Sequence, residues 1–136
     1  MSFIRKMVGV LLLLWQLPQN LLGLVVILVT GAKRSLNFRH VWLTQCYNFG
    51  VSLGYFIIFG AKDYYVMHKD YEHECGHCRQ SLYLGPLYLP VIGLPSIVFN
   101  IYDQLFHRKW PCIERNYWYY SLPWEAWADK LGGVER

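Results

Sequence analysis

The chain has 136 residues, enough for one domain of ordinary size, and 54% of them are hydrophobic, 18% aromatic and only 16% charged. A soluble domain carries about a quarter charged residues and a disordered tail carries more, so neither class fits. The formal net charge of +4 is small and dispersed, which excludes a nucleic-acid partner. Asp, Glu, Lys and Arg are absent from residues 7–32, 40–61 and 80–102, together about half the chain. That distribution places the protein in or against a membrane, with lipid as a partner.

The first apolar tract, 7–32, is long enough for a transmembrane helix, but Gln16, Pro18, Gln19 and Asn20 interrupt its centre. Pro18 kinks or breaks the helix, giving either one kinked span or two short arms that meet at the Pro-Gln-Asn turn. A signal peptide fits less well, because no small-residue cleavage site follows the apolar run. Arg5 and Lys6 precede the tract, and Lys33, Arg34 and Arg39 follow it. That bias narrowly favours a cytosolic C-terminal portion. In the second tract, Tyr55 to Phe59 between glycines reads as a short strand, with 61–63 as a turn and 64–67 as the returning partner. A second membrane span is the rival reading. The third tract, 82–102, contains Gly85-Pro86, Pro90, Gly93 and Pro95-Ser96, a density of proline that predicts a buried or re-entrant loop without regular helix. At the C-terminal end, Ser121 as cap, Pro123 in the first turn, Glu125 at the N-terminal dipole and Gly132-Gly133 as stop predict a compact helix.

Between the second and third tracts lies His73-Glu74-Cys75-Gly76-His77, an HExxH motif. Residues four apart share a helical face, so both imidazoles can bind one Zn2+, with Glu74 beside them to take a proton from water. A catalytic zinc needs a third protein ligand and an open position. Glu125 is the candidate, and Asp129, four residues on, shares its face and can hydrogen-bond the far nitrogen of a ligand histidine. The shared site also requires 82–102 to return to the side of the membrane on which it began.

HExxH followed by ExxxD resembles the gluzincin class of zinc metallopeptidases. The form Glu125-Ala-Trp-Ala-Asp129 is similar to the ExxAD of its integral-membrane members, which include the prenyl-protein-trimming proteases. The resemblance implies zinc on His73, His77 and Glu125, Glu74 as the base, Asp129 as the orienting carboxylate, and a peptide or protein substrate. A wider stretch, HECGHCRQSLYLGPLYLPVIGLPS and then WEAWADKLGG, also resembles small uncharacterised bacterial membrane proteins with HEYGHxxQS, GPLYL and GLPS, over roughly residues 50–133. Cys75 departs from that pattern, in which an aromatic residue is usual. The residues themselves specify metal-assisted hydrolysis; peptide-bond hydrolysis comes from the resemblance. Tyr117, Tyr119, Tyr120 and His107 are candidate transition-state donors.

Three other readings compete. Cys75-Gly76-His77-Cys78 spells CGHC, a thiol–disulfide exchange motif, but no βαβ pattern precedes it. Cys75, Cys78, Cys46 and Cys112 could form a structural thiolate zinc site, although a second CxxC is missing. A non-catalytic membrane scaffold would keep the motif for binding alone. The aromatic run 117–120, with Trp110, Trp124 and Trp127, suits a membrane-interface belt. The expected architecture is a mainly α membrane-associated zincin-like domain with a short β element. An N-terminal membrane segment with basic flanks (1–39) precedes the metal-binding domain (40–136).

Overall fold

In the computed structural model, which describes residues 3–45, 49–60 and 68–136, the first apolar tract folds as two helices. These are α1 (Phe3–Trp15) and α2 (Leu17–Thr30), bent by 80° across Gln16. Pro18 sits in the first turn of α2, where its missing N–H is no loss, but it cannot extend the ladder of α1. The polar residues at the elbow are buried against protein. Gln19 Nε2 donates to Ser81 Oγ and to the Gly85 carbonyl, both at 2.9 Å, and Ser81 Oγ donates to Gln16 Oε1 at 2.7 Å. Asn20 Oδ1 accepts the Tyr55 N–H at 2.7 Å. Unpaired, each such buried group would cost about 1–3 kcal/mol, so these bonds fasten the elbow to the rest of the chain.

Four strands follow: β1 (Lys33–Arg34), β2 (Val41–Thr44), β3 (Phe49–Leu53) and β4 (Phe56–Gly60), in sheet order β1-β2-β4-β3. The expected strand at 55–59 is β4, one residue later, because Gly54 and Tyr55 form the tight turn of the β3–β4 hairpin. Both edges of β4 are taken, by β3 antiparallel and β2 parallel. The turn 61–63 and the partner expected at 64–67 lie outside the described residues. Side chains alternate across the sheet. Ile58 and Leu53 pack with Ile27 of α2 on one face, while Val41, Ile57 and Phe59 pack with Tyr71, Cys75 and Cys78 on the other. Burial on both faces explains why β4 reads as an unbroken apolar run.

The remaining elements are helical: α3 (His68–Leu84), a 3-10 turn (Gly85–Leu87), a π-helical turn (Leu89–Gly93), α4 (Leu94–Phe106), α5 (Cys112–Tyr120) and α6 (Pro123–Gly132). The described residues are therefore mainly helical with one small sheet. The loop expected at 82–102 is instead helix. Each of its prolines falls where the winding of the helix changes (Pro86 in the 3-10 turn, Pro90 in the π turn, Pro95 at the passage from the π turn to α4), so none sits inside a regular α-helical run. The stretch does come back towards the histidines: after the turn at Gly85, the Tyr88 hydroxyl reaches the Ser52 carbonyl and Ser96 Oγ reaches Glu125, whose other oxygen lies 3.1 Å from His73 and His77. Further on, Arg115 binds Asp103 Oδ2 at 2.6 Å and ties α5 to α4. Ser121 is not the cap of α6. It closes α5, its Oγ donating to the Trp118 carbonyl at 2.7 Å, and Leu122 precedes α6 because Pro123 forces it to an extended ψ of 140°.

Among the described residues, Leu89–Phe106 is one helical stretch long and apolar enough to cross a membrane, with 11% of it buried. Every residue of α1 is exposed, and α4 presents Leu94, Ile97, Val98, Ile101, Leu105 and Phe106 outward. The accessible surface is 9401 Å², against about 7,400 Å² for a compact soluble monomer of 16.1 kDa.

Candidate metal centre

The buried face of α3 is polar: His73, Glu74, Gly76, His77, Gln80 and Ser81 all lie on it. Helices normally bury an apolar stripe. Here α6 crosses against that polar face at very short range. A Cβ on Gly76 would lie 2.6 Å from the carbonyl carbon of Ala128 and closer still to its oxygen. One on Gly132 would lie 2.8 Å from the carbonyl carbon of Glu72. Glycine at these two positions lets the backbones touch, and the contact carries Glu125 and Asp129 to the histidines.

His73 Nε2, His77 Nε2 and Glu125 Oε2 form a triangle with all three sides 3.1 Å, and all three residues are buried. Each corner is aimed by a partner. His73 Nδ1–H donates to Asp129 Oδ1 at 2.7 Å, and His77 Nδ1–H donates to Gln80 Oε1 at 2.7 Å. An acceptor on Nδ1 selects the tautomer whose Nε2 lone pair points into the triangle. Gln80 is itself oriented, its Nε2 donating to the Trp124 carbonyl at 2.8 Å. Glu125 Oε1 accepts from Ser96 Oγ at 2.6 Å and from the Tyr119 hydroxyl at 3.1 Å, which leaves Oε2 to the histidines. This cluster can hold a metal ion. The edges suit a small tetrahedral ion, since bonds of about 2.0–2.1 Å imply ligand separations of about 3.3–3.4 Å.

Electrostatics support the same geometry. Burial alone would raise the Glu125 carboxyl, but hydrogen bonds from His73 and His77 outweigh it and hold the group well below the usual carboxylate range. Burial likewise opposes charge on His77, yet Glu125 and Glu74 lift it from 6.5 to about 9. The raised His77 and the depressed Glu125 thus favour an imidazolium paired with a carboxylate across the 3.1 Å edge of the triangle.

Glu74 is buried beside the triangle. Ser52 Oγ lies 2.8 Å from both its Oε2 and its carbonyl oxygen, and the one hydroxyl proton serves either in turn. Its Oε1 faces Gly50 of β3, where a Cβ would come within 2.9 Å. β3 is an edge strand, with no strand partner on its outer side among the described residues. The sheet thus places bare backbone directly against a buried carboxylate.

The other residues singled out from sequence divide clearly. Tyr120 packs edge-on to His73 with ring centroids 5.1 Å apart, and Tyr119 binds Glu125. Burial raises both hydroxyls, Tyr120 to about 12, so they remain donors. Tyr117 is exposed and lies away from the site, beside Trp110 and Ile113. His107 is buried against Trp110 and Asp103 in a separate cluster. Cys75 and Cys78 are free thiols in the middle of α3, facing the sheet rather than the triangle. Burial raises both, Cys78 to about 12, and a mid-helix position lacks the N-terminal dipole that lowers a redox thiol. Cys112 is exposed at the start of α5, and Cys46 lies outside the described residues. Sequence reasoning missed Gln80, Ser96, Ser52, Gly50 and Arg136. Gln80 was readable, three residues beyond His77 on the same face; Ser96, Ser52 and Gly50 come from distant elements, and Arg136 lies past the end of α6, where helical spacing no longer gives a signal.

No family model matches the chain, and no curated protein or solved structure is significantly similar to it.

Proposed function

We propose that the chain is a membrane-associated, zinc-dependent peptidase of the gluzincin type. The observation that carries this reading is the buried triangle of two imidazoles and one carboxylate, each aimed by its own hydrogen-bond partner, with a second buried carboxylate alongside. Two nitrogens and an oxygen with one position left open suit catalytic zinc. Bound zinc lowers the pKa of water to about 7 and polarises a carbonyl. In this reading His73, His77 and Glu125 hold the ion, while Asp129 and Gln80 keep the imidazoles turned. Glu74 takes a proton from water and passes it to the leaving nitrogen, its carboxylate steadied by Ser52. Tyr120, whose ring packs against His73, is the phenol to stabilise the developing oxyanion, since the Tyr119 proton is already given to Glu125.

The edge strand supports a peptide as substrate. The Ser52 carbonyl is already taken by the Tyr88 hydroxyl, so an extended chain would add to β3 at Gly50, where the missing side chain keeps the gap beside Glu74 clear. The apolar surfaces of α1, α2 and α4 support placement in lipid, because exposed apolar patches of this extent are rare on soluble monomers. Ser96, which bonds Glu125, lies midway along 89–106, so the metal centre sits at the depth of that helix rather than beyond its end.

Elemental analysis of detergent-purified protein tests the metal: about one zinc per chain in wild type, lost in His73→Ala and Glu125→Ala. Hydrolysis of a mixed peptide library tests the reaction, with Glu74→Gln expected to keep its zinc and lose activity by about 10²–10⁴-fold. No zinc under metal-replete conditions refutes the metal reading. Zinc without Glu74-dependent hydrolysis refutes the peptidase and leaves a metal-binding scaffold.

A further inference from the structure

We propose that Arg136 is a positioning residue for His73, acting through two side chains at once. The inference rests on the metal reading above. Arg136 Nε donates to Asp129 Oδ2 at 2.6 Å and Nη2 donates to Oδ1 at 3.2 Å, while that same Oδ1 accepts Nδ1–H of His73 at 2.7 Å. The guanidinium carbon also lies 3.4 Å from the centroid of the Tyr120 ring, and that ring packs edge-on against His73 at 83°. One cation therefore holds both the hydrogen-bond acceptor of His73 and the aromatic wall beside it.

A carboxylate with a single partner can turn about its terminal torsion, which is broad and roughly two-fold. With the guanidinium fork engaging both oxygens, Asp129 keeps Oδ1 fixed towards the imidazole. Arginine suits the place because its planar group can bond a carboxylate at two points while stacking on a phenol; a lysine ammonium cannot do both. Fastening the end of the chain does not require this side chain. The backbone N–H groups of Gly133 and Val134 already donate to the Asp129 carbonyl, the second at 2.9 Å. What the Arg136 side chain adds is a hold on the two groups that set the direction of His73.

The test measures zinc affinity by chelator competition and the visible spectrum of the cobalt-substituted protein. Variants are Arg136→Ala, Arg136→Lys, Asp129→Asn and the Arg136→Ala/Asp129→Asn double mutant. Arg136→Ala is expected to weaken zinc binding by about 10–100-fold and to shift the cobalt bands. Arg136→Lys should recover part of the affinity, and Arg136→Ala should add little in the Asp129→Asn background, because the two act through one bond. Unchanged affinity and spectrum in Arg136→Ala overturn the inference, as does a full further loss on top of Asp129→Asn. If Arg136→Ala fails to fold, Arg136→Gln and Arg136→Lys carry the same comparison. Wild-type protein that binds neither zinc nor cobalt overturns the metal reading itself, which separates that failure from one confined to Arg136.

Discussion

Replacing Gly76 with alanine sets two physical effects against each other with opposite signs. In an unobstructed helix the substitution stabilises by about 1 kcal/mol through helix propensity. At this position the new methyl would stand 2.6 Å from the Ala128 carbonyl carbon and 3.0 Å from its Cα. Non-bonded carbons settle at about 3.5–4.0 Å, so α6 has to retreat from α3 by about 1 Å. Overpacking of this kind costs about 1–3 kcal/mol, enough to cancel or exceed the propensity gain. Glu125 lies one turn before Ala128 and moves with it. Its 3.1 Å separations from the two histidines would widen to about 4 Å, beyond the roughly 3.3–3.4 Å a zinc ion spans. Thermal melts of metal-free protein and chelator competition for zinc report the two consequences separately. The melting temperature should fall or stay level, not rise, and zinc affinity should drop by about 10–100-fold. An alanine variant that melts higher and binds zinc as tightly as wild type would show that the Gly76–Ala128 contact does not set the position of Glu125.

Metal-free stability should depend on pH through the same groups. The depressed Glu125 carboxyl contributes above its unfolded value near 4.5 and loses that contribution as pH falls. The raised His77 contributes fully below 6.5 and loses it as pH climbs through about 9. Chemical denaturation of metal-free protein from pH 4 to 10 should therefore peak between about 4.5 and 6.5 and decline towards 9; a maximum above pH 8 refutes the His77–Glu125 pairing. Zinc affinity should rise with pH over the same range as His77 gives up its proton, and a pH-independent affinity speaks against His77 as a ligand. The Cys75→Ser/Cys78→Ser double variant should keep its zinc while losing some stability at the sheet-facing side of α3; loss of zinc would move the site to the thiols. Gln19→Leu leaves the Gly85 carbonyl without its side-chain donor and should cost about 1–3 kcal/mol on denaturation. An unchanged midpoint would mean that the elbow between α1 and α2 is fastened by other contacts.

Local chemistry determined much of this protein. The charge-free tracts, the break at Pro18, the strand between Gly54 and Gly60 and the four-residue spacing of His73 and His77 all depend on neighbours within one or two turns, and a sequence displays such neighbours directly. The prolines of 82–102 show where local reading stopped. The same residue that destroys a helix interior begins a helix well, and which role each plays depends on where the preceding segment ends. Tertiary structure alone decided that Gln16 and Gln19 are buried partners of Ser81 and Gly85, and Asn20 of Tyr55, rather than a polar flaw in an apolar tract. It also decided that Gly76 admits the backbone of α6, that Ser96 and Tyr119 turn Glu125, and that Arg136 reaches Asp129. Gly76 and Ser96 meet α6 from tens of residues away, and Tyr119 and Arg136 reach it across a helix end, where no regular spacing holds. Each depends on a close approach of backbones or on a shared proton, neither of which leaves a periodic trace in the chain.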